Sequence, residues 1–412
     1  VRVLVVGAGA QGGPCASILS RDSDVSEIIL GDINLNLAKR VADRIGSEKV
    51  VPKRVDASSL DSLVEAAKGV DVVINLTLPR FNLNVMRAAL KCGAHYVDTA
   101  SGPDLDLHPI DYMVGKQLEM DEEWKRAGLT ALISCGATPG LTNVLARYLC
   151  DELERVHEVR FRVGEAPVRK EKVVKTWNPG WSPEVALLYR SSPAVVFEDG
   201  GYKRYPPCSG VEEYVFPEPV GRCTLALVDH EECVTIPRFI GKGIRYVDYK
   251  NVVDEIAVVL GNMGFASNEP VEVGGVKVVP RDVLLKLVKP PVNEFLTESE
   301  ETIKSRPPDY VYCTVIIVRG EDEEGSVEYR LIRGPHVPSV EERLELFRRF
   351  GTELIGVALP AVVGAKMCVE GRSESGVIAP ECLDPREFLR RMARAGAPVK
   401  FRKIVIRETL IE

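Results

Sequence analysis

Apolar residues follow two different rhythms along this chain. Over the first 150 positions, short apolar runs alternate with stretches whose apolar positions recur at helical spacing. The runs predict strands at Arg2 to Val6, Glu27 to Leu30, Val50 to Val55, Val70 to Leu76, His95 to Asp98 and Thr130 to Ser134. Helices are expected between them, as at Pro14 to Leu19, Ser59 to Lys68 and Asn82 to Cys92. Strand–helix alternation with short loops predicts a parallel sheet covered by helices on both faces.

After Leu149 the pattern changes. Strand-like runs cover Val156 to Val163, Thr224 to Val228, Arg245 to Tyr249 and Val271 to Val279, the last with Gly274–Gly275 as a two-residue hairpin turn. Tyr310 to Arg319 and Val327 to Arg333 read as a second hairpin with an acidic, solvated tip at Glu321 to Glu324. Val252 to Gly261 and Pro280 to Val288 read as helices, as do Val340 to Arg349 and Ala361 to Val369 in the tail. The expected organisation is a doubly wound α/β domain at 1–149, an α+β domain with a mainly antiparallel sheet at 150–337, and a helical tail at 338–412 packing back on the first domain.

The first loop carries the most informative motif. Gly7-Ala8-Gly9-Ala10-Gln11-Gly12 follows the first apolar run and opens a helix, and Asp32 closes the second run twenty residues past Gly12. In this context G-x-G-x-x-G predicts a Rossmann dinucleotide site. Gly7 permits the turn, Gly9 lets the backbone approach a pyrophosphate, and Gly12 lets the helix pack on its strand. The pyrophosphate would rest on the amides at the helix N-terminus. Asp32 would accept the adenine ribose hydroxyls and repel a 2′-phosphate, which favours NAD, with NADP the alternative. Ligands of such sheets bind outside the carboxyl ends of the strands, which adds Asp56, Ala57, Thr77, Leu78, Pro79, Ala100 and Cys135 to the expected cofactor rim.

Composition narrows the classes further. A net charge of −7 leaves no nucleic-acid footprint. No apolar run is long enough to span a membrane, and the first residues already read as a strand, so a cytoplasmic protein is expected. Ten Cys without paired spacing and five His without ligand spacing argue against a disulfide frame or a metal site.

Val55-Asp56-Ala57, Asp71 to Asn75, Gly93 to Asp98 and Gly136-Ala137-Thr138-Pro139-Gly140-Leu141, taken in order with the glycine motif, resemble the saccharopine dehydrogenase-like family of NAD(P)-dependent oxidoreductases. Arg162 to Val168 and Tyr249-Lys250 look most like lysine 6-dehydrogenases, and Gly376 to Glu381 is similar to ends seen elsewhere in the family. The resemblance implies chemistry at a carbon–nitrogen bond of an amino acid or related amine. Glutamate-forming saccharopine reductases carry an Asp before the Pro-Gly pair, where this chain has Thr138, and a Cys at the place matched by Val163. Both departures argue against saccharopine as substrate. A carboxylated-polyamine or saccharopine-type reductase is the alternative among enzymes, and an NAD(H)-sensing binding protein the alternative of another class.

Such chemistry needs a proton acceptor for the amine, negative charge near the iminium, and close approach of the hydride carbon to the nicotinamide. His230, in Asp229-His230-Glu231-Glu232, is the candidate proton-transfer residue, because its side chain titrates near neutrality. Asp98 is the candidate charge partner, or else a cap on the following loop. His95 reads as a strand residue, and His108, His157 and His336 as residues of loops or element ends. Trp177, Arg190, Glu231, Arg238 and Lys250 are candidate substrate contacts, each with an ordinary packing or ion-pair alternative. A homodimer is expected, to cover the second domain's sheet.

Overall fold

The computed structural model describes residues 1–102, 113–168, 177–288 and 293–407. Seven parallel strands form the first sheet, in the order Gly376–Ile378, Thr130–Leu132, His95–Asp98, Val72–Asn75, Arg2–Val6, Glu27–Asp32 and Val50–Arg54. Apart from the first, these strands are the ones the apolar runs predict. The inner strands are covered by helices and almost uniformly buried, as in Val72–Asn75, while the edge strand Val50–Arg54 stays partly open. The strand order reverses beside Arg2–Val6, and the glycine loop leaves that strand at the reversal. This is where open α/β sheets bind ligands.

Local chemistry fixes the loop. Gly7 sits at φ +101°, a conformation L side chains rarely adopt. A Cβ on Gly12 would lie 1.9 Å from the Gly7 carbonyl oxygen, so the helix Gly12–Ser20 can start there only with glycine. The Asp32 carboxylate accepts the Ala8 and Asn34 N–H groups, each at 2.8 Å, which ties the loop to the end of the second strand.

The second sheet has nine strands. Its main path runs Glu212–Val215, Arg222–Leu227, Tyr246–Val252, Arg155–Pro167, Tyr310–Asp322, Gly325–Arg333 and Arg402–Ile406. Ala194–Glu198 also pairs with Tyr246–Val252 and carries Gly201–Tyr205 beside it. Neighbours are antiparallel except Tyr246–Val252 and Arg155–Pro167, which run parallel. The expected helix start at Val252 moves to Glu255, because Asp254 caps the helix and Val252 still belongs to a strand. Asp322 pairs with Gly325 in a tight turn and takes an ion pair from Arg407, so the acidic tip is anchored as well as solvated.

Residues after Val337 contribute to both sheets. Gly376–Ile378 pairs with Thr130–Leu132, and Arg402–Ile406 pairs with Gly325–Arg333. The helix Ala358–Val369 is buried almost all round. One apolar core runs without a break from the first sheet to the inner face of the second, taking in Phe161, Tyr249, Ile316 and Leu331. All ten cysteines are free thiols, and among the described residues no helix is long and apolar enough to cross a membrane.

The glycines separate fold from ligand. A Cβ on Gly9 would meet nothing within 4 Å, so packing does not require glycine there, whereas Gly12 is locked by its neighbours. Gly9→Val should leave the melting temperature nearly unchanged and weaken dinucleotide binding by ~10-fold or more. Gly12→Ala should lower both stability and affinity. Calorimetric melting and fluorescence titration check the pair; equal destabilisation by both changes would contradict this division of labour.

Candidate functional site

The half-buried residues of the first domain trace a line along its strand ends. Gly9, Gln11, Asp32, Asp56, Thr77, Leu78, Pro79, Thr99 and Ala100 are all partly open, while the strands behind them are closed. Gly7 and Ala57 lie buried beneath this line, and Ala10 is exposed at the loop tip. These residues fit a dinucleotide on three counts. Gly9 has open space where a side chain would stand. The helix Gly12–Ser20 begins without a side-chain cap, leaving first-turn N–H groups for an anion. The buried Gln11 Oε1 accepts no hydrogen bond within the protein.

A cavity of about 200 Å³ lies where this rim meets the second domain, lined by Leu78, Pro79, Ser101 and Gly102 on one side and by Glu184, Leu188 and Arg281 on the other. At the inner edge of this junction stands the turn after the strand Arg222–Leu227. Its residues Asp229, His230, Glu231 and Glu232 are all buried. Four consecutive ionisable residues need donors, and these find them in both domains. Glu231 Oε1 accepts the Ser101 N–H at 2.8 Å, the Gly102 N–H at 2.9 Å and the Tyr189 hydroxyl at 2.8 Å. Its Oε2 accepts no hydrogen bond and lies 3.6 Å from His230 Nδ1. Glu232 opens the helix Glu232–Ile240; one oxygen accepts the Thr142 hydroxyl at 2.7 Å and the Thr138 hydroxyl at 3.0 Å, and the other pairs with His230 Nδ1.

The His230 ring is sandwiched. It stacks on Tyr249 at 3.8 Å with 4° between the planes, and Tyr189 lies 5.0 Å away on centroids. Tyr249 in turn shares a 3.0 Å hydrogen bond with Thr138. Burial alone would push the imidazole pKa down; the Glu232 carboxylate, with Glu231 and Asp229 further off, outweighs it and holds His230 above its ordinary value. Glu232 shows the complement: burial would raise it, but His230 and Thr142 keep it below the usual carboxylate range. Nδ1 is thus committed to Glu232, and Nε2 is the nitrogen left for chemistry. Potential metal-ligand atoms of His230, Glu231 and Glu232 lie within 4.8 Å of one another. Hydrogen bonds already engage the histidine nitrogen and both Glu232 oxygens, so the group is built as a proton-sharing network.

The other candidates divide between the cleft and elsewhere. Asp98 is buried and saturated. It accepts the Ser134 N–H at 2.7 Å, the Gln117 amide at 2.6 Å, the Tyr96 hydroxyl at 2.9 Å and the Asn82 amide at 3.3 Å. Burial, with Glu231 adding repulsion, pushes its pKa up to about 7. Asp98 therefore organises the loops beneath the cleft, and the expected direct charge partnership with an iminium does not hold. Cys135 turns its thiol under the helix Ala358–Val369, toward the Pro360 carbonyl, so its packing is internal. Lys250 pairs with Glu212 on the face of its strand opposite Tyr249, and Arg238 is exposed beside Phe239, so neither joins His230. Trp177 donates to Asp254 at 3.0 Å and packs in a small cluster with Leu187 and Leu284. Arg190, 3.7 Å from Asp254, opposes the upward shift that burial imposes on Glu165. His108 lies outside the described residues.

Sequence reading missed Glu232, Thr142, Tyr189 and Glu381. Only the run of four ionisable residues at 229–232 marks the place in the sequence; the hydroxyl donors come from elements far away along the chain. Glu381 is fully buried behind the cluster, where its Oε2 accepts the Asn143 amide at 3.0 Å. Burial raises its pKa to about 7, so the folded state keeps a proton that the unfolded chain loses near 4.5. Folded Glu381 binds more protons between those values, so stability falls as pH rises through that window, by up to about 3 kcal/mol. Glu381→Gln should flatten part of the decline in melting temperature between pH 5 and 8. A variant that melts lower than the parent at pH 8 would contradict the assignment of a neutral Glu381.

Residues 3–132 match the saccharopine dehydrogenase NADP binding domain and residues 136–397 the saccharopine dehydrogenase C-terminal domain. The chain is 26% identical over 406 residues to a carboxyaminopropylagmatine dehydrogenase of Synechocystis sp., covering 96% of each. It is 26% identical over 428 residues to a carboxynorspermidine synthase of Vibrio cholerae, covering 96% of this chain and 95% of the relative. Its fold is similar to apo saccharopine dehydrogenase (L-Glu forming) from Saccharomyces cerevisiae, with a TM-score of 0.66 at 15% identity over 98% of this chain and all of the other. It is also similar to homospermidine synthase from Legionella pneumophila in complex with NAD, with a TM-score of 0.61 at 14% identity over 100% of this chain and 94% of the other. Two domain matches that together take in nearly the whole chain lead to one conclusion: the chain belongs to the saccharopine dehydrogenase family.

Proposed function

We propose that this protein is an NAD(P)-dependent oxidoreductase that makes or breaks the C–N bond of a carboxylated secondary amine, the product of joining a carboxylate-bearing aldehyde to a diamine or polyamine. The observation that carries the reading is the buried Glu231 carboxylate, whose Oε2 accepts no hydrogen bond beside His230 at the domain junction. A buried anion with an open lone pair favours a cationic partner, here an ammonium or an iminium. The Synechocystis and Vibrio cholerae relatives, matched over 96% and 95% of their length, are named for carboxylated polyamines, which supports this substrate class over lysine. Lysine 6-dehydrogenase chemistry, the first reading from resemblance, becomes the second. Thr138 bonding to Glu232, at the place where saccharopine reductases carry Asp, supports a substrate other than saccharopine.

In the reductive direction the amine nitrogen adds to the aldehyde carbon, the carbinol oxygen leaves as water, and the iminium carbon gains a hydride. The dinucleotide, when bound, supplies that hydride. His230, protonated and fixed through Nδ1 by Glu232, gives the proton that lets the hydroxyl leave. Glu231 holds negative charge beside the iminium. In the oxidative direction neutral His230 receives the proton of the attacking water. Asp32 supports NAD as the preferred dinucleotide.

A homodimer is part of the same reading. Ile256 and Val259 on the helix Glu255–Asn262, Met263 at its end, and Val271, Val273 and Val276 on a hairpin are exposed apolar residues that a second copy could cover. Light scattering should give a dimer at micromolar concentration, and a monomer would refute it.

The function is tested by NAD(P)H oxidation with paired aldehydes and diamines, read by absorbance, against lysine with NAD(P)⁺. Turnover that needs both an aldehyde and an amine is expected; turnover with lysine alone would favour the second reading. His230→Ala should lower kcat by ~10²–10⁴-fold with dinucleotide affinity unchanged. The reductive rate should fall as pH climbs through the raised His230 pKa, and that limb should vanish in His230→Gln. A variant with the parent's rate and pH profile would remove His230 from the mechanism.

A further inference from the structure

Arg333 ends the strand Gly325–Arg333 and is half-buried, and its guanidinium has no hydrogen-bond or ion-pair partner among the described residues. Four other arginines of the sheet, Arg160, Arg162, Arg319 and Arg330, each have a carboxylate partner, and Arg155, Arg222 and Arg402, which have none among the described residues, are exposed to water. Burial pushes the Arg333 guanidinium below its ordinary value, and no facing charge counters it. Shielding such a group from water costs stability, and an added anion would offset that cost.

Register places it on the face that carries the site. Tyr249 pairs with Phe161, and Asn251 pairs with Val163 two positions on. Val163 faces Thr314, and Thr314 faces Arg333. Paired residues share a face and alternate residues return to it. Asn251, Val163, Thr314 and Arg333 thus form one row across the inner face, next to the row that begins with Tyr249. Tyr249 stacks on His230, so the two rows are adjoining parts of one floor. From strand spacing and rise, the Arg333 backbone lies roughly 16 Å from that of Tyr249. The long arginine side chain closes part of that gap.

We propose that Arg333 anchors the substrate's carboxylate and so sets the enzyme's preference for a carboxylated aldehyde, holding the anion a few bonds away from the reacting carbon. This rests on the function proposed above for its substrate class, but not for the binding of a carboxylate. An Arg fork fits a carboxylate bidentately, which a Lys at the same place cannot reproduce. Arg190 lies 3.7 Å from the Asp254 carboxylate, with its buried Nε making no hydrogen bond among the described residues.

The test separates binding from turnover. Glutarate is titrated by calorimetry into the full chain in the presence of NAD(P)H, for the parent, Arg333→Met and Arg333→Lys. The parent should bind it, Arg333→Met should bind ~10–100-fold more weakly, and Arg333→Lys should fall between, with the dinucleotide Kd unchanged. With putrescine as the amine, Arg333→Met should raise KM for 4-oxobutanoate by a similar factor while KM for butanal stays the same. Equal glutarate affinity in parent and Arg333→Met, or no glutarate binding by the parent, would overturn the proposal. A weakened dinucleotide Kd would also overturn it, making Arg333 a phosphate contact. Glutarate binding lost in Arg333→Met, with no amine-dependent turnover in the parent, would keep Arg333 as a carboxylate site and reject the proposed reaction.

Discussion

A carboxylate taken out of water must find donors or give up its charge, and Glu231 finds its donors across a domain boundary. One of its oxygens holds the Ser101 and Gly102 amides of the nucleotide domain and the Tyr189 hydroxyl of the second domain. The loop after the strand His95–Asp98 is thereby fixed against the turn that presents His230. Glu232, which also meets the His230 Nδ1, does the same through Thr138 and Thr142. Hydrogen bonds to a charged group contribute about 1.5–3 kcal/mol each, and leaving buried donors unmet costs a similar amount. Beside the apolar core that joins the two sheets, these polar contacts fix the turn that carries the imidazole.

That arrangement explains why the first domain is readable and the junction is not. Parallel strands buried on both faces announce themselves as apolar runs, and the glycine turn has steric demands that few sequences meet by chance. Gly12 is forced by the Gly7 carbonyl, a contact five residues away, so local sequence is enough to find it. The junction is built from contacts such as Thr142 to Glu232 and Asn143 to Glu381, which join residues 90 and 238 positions apart. No periodicity encodes those pairs. Short strands such as Gly376–Ile378 and Arg402–Ile406 escape for the same reason, since each is defined by its partner strand.

Two corrections teach the same lesson about carboxylates and cations. Asp98 sits at a strand's carboxyl end, where topology favours ligand contact, yet four donors surround it and it serves the scaffold. Lys250 adjoins Tyr249 in sequence, and strand alternation sends it to the opposite face to meet Glu212. Arg333, which nothing in the sequence singles out, shares the face of Tyr249 because three strand registers bring it there. In a sheet, proximity to the site follows parity and register more than position along the chain.

The account stands on one spatial claim: the reacting C–N bond lies between the nicotinamide and His230 at the domain junction. A crystal structure of the protein with oxidised dinucleotide and a carboxylated polyamine tests it most directly. The account predicts the amine nitrogen within hydrogen-bond distance of His230 Nε2 and the adjacent carbon about 3–3.5 Å from the nicotinamide C4. A nicotinamide ring bound away from Ser101 and the 229–232 turn, with the amine out of reach of His230, would contradict it.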